Sequence, residues 1–98
     1  MPLGYQLQII TQRGVQFDSG AQSVVAPGVM GYFGVHPHHA PMVAELGEGR
    51  LRVVGTNGKE TTFHCDGGIL EVTLDSVVVL ADAVREVAPR TDGQASEA

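Results

Sequence analysis

The stretch from Gly67 to Ala81 constrains the chain most, because fifteen residues there form little besides buried extended structure. Leu70, Val72 and Leu74 alternate with Ile69, Glu71 and Thr73, which predicts a strand with Leu70, Val72 and Leu74 on its buried face. Asp75-Ser76 supplies turn chemistry. Val77-Val78-Val79-Leu80 then reads as a second strand, apolar on both faces, which predicts cover on each side. The pair Gly67-Gly68 marks a bulge or a close backbone approach, since glycine weakens an ordinary strand.

Turn signals recur along the rest of the chain. Tyr5 to Ile9 alternates as a half-buried strand, Arg13-Gly14 reverses it, and Asp18-Ser19-Gly20 is expected to break the next. Ser23 to Ala26 runs to Pro27-Gly28, and Tyr32 to Val35 is a short aromatic segment whose two rings alternate between inward and exposed positions. Gly47-Glu48-Gly49 punctuates once more. Asn57-Gly58 is the strongest hairpin signal, because both residues tolerate positive φ. Returning from that turn, Thr61, Phe63 and Cys65 share one face.

Spacing of about 8 to 12 residues between turns, without a helical period, predicts an all-β sandwich or flattened barrel. The domain is expected over residues 1–87. Residues 88–98, with Pro89 and Gly93, are expected to be a disordered polar tail.

With no Trp, the core falls to Val, Leu, Ile and Ala. Eleven acidic against six basic residues give a net charge of −5 and no basic stripe, which argues against nucleic acid as a partner. The lone Cys65 has no internal disulfide partner and reads as a packed, inert thiol. No apolar run reaches the roughly 18 to 20 residues of a membrane helix.

Catalytic motifs are missing: no serine lies in a nucleophile elbow, and no glycine cluster opens a phosphate-binding helix. Glu71 and Asp82 read as outward charges rather than an acid–base pair. His36, His38 and His39, with Glu45 and His64 behind them, invite a metal-centre reading of the cupin type. Six residues separate His38 from Glu45, however, and Pro37 and Pro41 hold the segment as a loop, which spoils same-face geometry. The reading is therefore no catalytic residue, no metal and no cofactor. The alternative is a free-standing β-sandwich module binding a small ligand or metal through His36, His38 and His39.

Five motifs in order resemble the N-terminal domain of the F-type ATP synthase epsilon subunit, over Leu3 to about Ala83. They are Tyr5 to Ile9, Phe17-Asp18-Ser19-Gly20, Gly34-Val35-His36-Pro37-His38-His39-Ala40-Pro41, Gly67-Gly68-Ile69-Leu70-Glu71-Val72, and Val77 to Ala83. The resemblance implies a ten-stranded β-sandwich of two five-stranded sheets. It implies a non-catalytic rotor subunit joining gamma to the c-ring, on the cytoplasmic side of the bacterial plasma membrane, and coupling ion transport to ATP synthesis or hydrolysis.

By the same resemblance a ring-facing loop contains Gly31, Tyr32, Phe33, His36, His38 and His39. Pro37, Pro41, Gly67, Gly68 and Glu71 are structural positions. Tyr32 stands where the family commonly has an acidic residue, so an apolar or stacking contact is expected there. Gly47-Glu48-Gly49 replaces a Pro-Gly turn. Fifteen residues follow Ala83, too few for the family's two C-terminal helices at about 11 to 12 residues each, so a natural short form or a truncated chain, in either case without ATP binding, is expected. A side made for gamma would also allow the isolated chain to form a homo-oligomer.

Overall fold

The computed structural model describes residues 4–88. Seven strands run in order: β1 (Tyr5–Thr11), β2 (Gly14–Gly28), β3 (Gly31–Val35), β4 (Met42–Gly55), β5 (Glu60–Val72), β6 (Ser76–Ala81) and β7 (Val84–Val87). There is no helix among the described residues, and hence none long and apolar enough to cross a membrane. Beyond Ala88 the expected tail lies outside the described residues.

The strands pair in the order β1-β6-β5-β4-β2-β3, and a further β1–β2 pairing closes the first five into a barrel. All ladders are antiparallel except β1–β6. β7 continues beside β5 beyond the end of β6, pairing Cys65 with Val84. Closure leaves the free edges to the two short outer strands, β3, which pairs with β2, and β7, which pairs with β5.

The all-β expectation is met. Where ten strands in two sheets were expected, seven continuous strands form one connected sheet. The difference lies in β2, β4 and β5, which are 15, 14 and 13 residues long. Asp18-Ser19-Gly20 and Gly47-Glu48-Gly49 do not end their strands, because pairing to β1 and to β5 carries the backbone through both. Register shifts between Ala21 and Ser23 and between Val25 and Gly28 bend β2 instead of breaking it.

The Asn57-Gly58 hairpin forms as expected. Gly58 has φ 85°, the Gly55 amide donates to the Lys59 carbonyl at 2.8 Å, and the Lys59 amide donates to Asn57 Oδ1 at 2.9 Å. This turn sets the long β4–β5 register, from Val54↔Glu60 to Met42↔Val72.

Inside the barrel Leu7, Ile9, Val24, Leu51, Val53, Phe63, Cys65, Leu70, Val77 and Val79 form one apolar core. The Phe17 and Phe63 rings meet edge to face with centroids 5.9 Å apart.

Two expectations within the opening stretch need correction. Leu74 does not continue the buried face of Leu70 and Val72; it stands at the β5–β6 turn, 84 % exposed. The alternation ends where β5 ends, at Val72. The β6 strand is covered on one face only, with Val77 and Val79 buried and Leu80 52 % exposed.

Candidate functional site

Gly28-Val29-Met30-Gly31 makes the β2–β3 hairpin, with Gly31 at φ 129° opposite Gly28. Gly31, Tyr32 and Phe33 lie on β3, whereas His36, His38 and His39 follow it. The six expected contact residues therefore do not form one loop. Four residue steps of extended strand, about 13 Å, separate Gly31 from Val35.

The two aromatics split as expected. Phe33 packs on the core, while Tyr32 faces outward. The Tyr32 hydroxyl accepts a hydrogen bond from the Arg50 amide at 3.0 Å. The ring thus lies over Gly49, where any Cβ would collide with the phenol oxygen and with Pro27. That contact explains the glycine and ties β3 to β4.

At the far end of β3, the histidine loop is held from beneath. The buried Tyr5 hydroxyl donates to the Val35 carbonyl at 2.8 Å, and burial raises its pKa well above the ordinary phenol value. His38 takes φ 68°, a left-handed conformation uncommon outside glycine. The His39 Nδ1–H donates to the Ala40 carbonyl at 2.7 Å. All three histidines line a cavity of about 140 Å³ shared with Thr73 and Asp75 of the β5–β6 turn and with Ser76 at the start of β6. Pro37 is half-buried and Pro41 exposed, immediately ahead of β4.

Neither Glu45 nor His64 joins this loop. Glu45 lies on β4 opposite Ile69, and His64 contacts Glu48 and Asp66. The cupin-like set is therefore not assembled. Cys65 is buried, and its thiol donates weakly to the Gly67 carbonyl at 3.7 Å. Burial raises the thiol pKa, with the Asp66 and Asp82 carboxylates adding to the effect.

Gly67 and Gly68 take φ 109° and 144°. At Gly68 the backbone of Leu80 and Ala81 fills the space a Cβ would need, so β6 lies directly against it. This is the close approach expected from the glycine pair.

The outer face of the barrel carries a feature that sequence reasoning did not find. Val15 pairs with Ile10, Ile10 with Leu80, and Leu80 with Ile69, which places four aliphatic side chains in a row across β2, β1, β6 and β5. Val15, Leu80 and Ile69 are 55, 52 and 47 % exposed. In the adjoining row Val78 pairs with Glu71, and Glu71 with Val43, which is 68 % exposed. The exposed Glu71 thus stands between two valines, while Gln8 beyond Val78 and Glu45 opposite Ile69 border the strip with polar groups. An apolar strip crossing four paired strands has the form of a contact surface.

Residues 4–87 match the family described as ATP synthase, Delta/Epsilon chain, beta-sandwich domain. The chain belongs to this family. Among its relatives, the ATP synthase epsilon chain of Chromohalobacter salexigens is 35 % identical over 94 residues, covering 96 % of this chain and 67 % of that one. The ATP synthase epsilon chain of Acidithiobacillus ferridurans is 39 % identical over 84 residues, covering 85 % of this chain but 58 % of its own length.

Solved ATP synthases share the fold. One is the Euglena gracilis mitochondrial assembly of OSCP, F1 and c-ring, at TM-score 0.81 and 20 % identity, covering 88 % of this chain and 55 % of that one. Another is the Tetrahymena thermophila mitochondrial central stalk and c-ring, at TM-score 0.69 and 15 % identity, covering 82 % and 64 %. The delta/epsilon β-sandwich is thus the framework on which the outer apolar strip and the histidine loop are displayed.

Proposed function

We propose that this chain acts as the epsilon-type subunit of a membrane-bound rotary ATP synthase, a non-catalytic part of the central stalk. The observation that carries the reading is the aliphatic row Val15–Ile10–Leu80–Ile69 on the face of a delta/epsilon domain. A closed barrel with a packed core has no need of such a strip for its own stability. The strip suits a permanent partner, and gamma, the shaft of the motor, is the partner we assign to it.

The c-ring is assigned to the loops. The histidine loop, with Leu74 beside it, forms one end of the barrel, and Tyr32 is stapled to Arg50 on the flank. In this reading the domain fixes shaft to ring as a rigid block, so that ion transport stays coupled to ATP synthesis or hydrolysis. It works peripherally, on the cytoplasmic side of a bacterial plasma membrane. Chemistry on nucleotide is left to other subunits.

Co-expression tests the reading. A tagged chain produced together with the gamma subunit of its own organism should retain gamma through gel filtration at equal stoichiometry. Recovery of the chain free of gamma would remove the rotor assignment. In that event the cavity among His36, His38 and His39 becomes the better candidate, and small-ligand binding there would be the reading to pursue.

A further inference from the structure

We propose that Glu48, His64 and Asp66 form a surface site for one divalent transition-metal ion of the Zn²⁺ class. The proposal does not depend on the rotor reading. His64 and Asp66 are two apart on β5 and so point to the same side, and Glu48 sits directly across from Asp66 on β4. The paired strands fix all three Cα positions. His64 Nε2 lies 3.2 Å from Glu48 Oε2 and 3.0 Å from Asp66 Oδ1, and the three donor atoms fall within 4.8 Å of one another.

These separations suit a shared ion. Zinc bonds imidazole nitrogen and carboxylate oxygen at about 2.0 to 2.2 Å, which puts neighbouring ligand atoms about 3.3 Å apart in a tetrahedral shell. The imidazole nitrogen in this donor set favours zinc, copper, iron or nickel over calcium or magnesium. The Glu48 and Asp66 side chains are 71 and 52 % exposed, so water can complete the shell.

Charge points the same way. Two carboxylates placed directly opposite each other across a ladder repel. Among the described residues neither forms an ion pair with an arginine or lysine; Arg52 is held by Glu60 at 3.0 Å. Arg50 sits opposite His64, yet its Nη1 is buried without a hydrogen-bond partner among the described residues. What stands between the two carboxylates is the His64 Nε2 atom, which carries at most one proton for two acceptors. A divalent cation would satisfy all three groups together.

Calorimetric titration of the full chain with ZnCl₂ tests this, set against His64→Gln, Glu48→Gln with Asp66→Asn, and the loop triple variant His36→Gln, His38→Gln and His39→Gln. We expect one equivalent bound by the wild type. Affinity should fall at least about tenfold in the first two variants and stay unchanged in the third. Zn²⁺ should also raise the melting temperature of the wild type but not of His64→Gln, whereas Mg²⁺ should raise neither. Absence of Zn²⁺ binding at millimolar concentration would overturn the proposal. So would binding that survives His64→Gln or is lost in the loop triple variant.

Discussion

The hydroxyl of Tyr5, at the start of β1, donates a hydrogen bond to the carbonyl of Val35, the last residue of β3, thirty positions away. Both residues are buried, and the bond anchors the point from which the histidine loop departs. Replacing Tyr5 with Phe keeps the ring but leaves the Val35 carbonyl without this donor. The expected loss of folding stability is about 2 kcal/mol in urea or guanidinium unfolding. A change below about 0.5 kcal/mol would mean that water replaces the phenol.

The same residue gives a pH signature. Folding raises the Tyr5 pKa above its ordinary value of 10.0, because burial disfavours the phenolate. The folded chain therefore keeps a proton that the unfolded chain gives up. Its stabilising contribution is full below pH 10 and is lost as pH rises from there toward the folded-state pKa. Stability measured across pH 8 to 11 should fall more steeply for the wild type than for Tyr5→Phe.

Gly68 and Gly31 share positive φ but differ in their surroundings. At Gly31 a Cβ would meet open space, whereas at Gly68 it would run into the Leu80 and Ala81 backbone. Gly31→Ala should cost about 1 kcal/mol, from conformation alone. Gly68→Ala should cost about 3 kcal/mol or more, because β6 must move away from β5. Equal melting temperatures for the two variants would contradict the close packing of these strands.

Cys65 is fully buried, and burial raises the pKa of its thiol. Native protein should react with a thiol reagent such as DTNB only as fast as it opens, and reaction should accelerate sharply in denaturant. Rapid labelling of the folded chain at neutral pH would place the sulfur nearer the surface.

Much of the fold was legible because the informative residues act locally. Asn57-Gly58 makes its turn from its own backbone preferences, and the Tyr32–Phe33 pair divides between outside and inside by alternation alone. Gly67-Gly68 marked a close approach correctly, although β6 as the neighbour is a long-range fact. Leu74 was misplaced because alternation was carried past the end of β5 into a turn. Leu80 was misplaced because an apolar run looks the same whether its second face meets the protein or a partner. Neither the aliphatic row nor the Glu48–His64–Asp66 group has a sequence signal of its own. Each exists only once the strand register is known, since its members come from segments joined by pairing rather than by proximity in sequence.

If the outer row is where gamma binds, Leu80 and Ile69 are at its centre, and both are exposed enough to change without loss of the core. Leu80→Thr with Ile69→Thr, which keeps strand-forming side chains and places no like charges opposite each other, should leave the circular dichroism spectrum and the melting temperature nearly unchanged. The decisive measurement is the dissociation constant of gamma for the wild-type chain and for this double variant, by calorimetry or surface immobilisation. Saturable binding by the wild type is expected, with at least about a thirtyfold weakening in the folded double variant, as for loss of a central apolar anchor. No binding by the wild type, or equal binding by both, would contradict the gamma assignment.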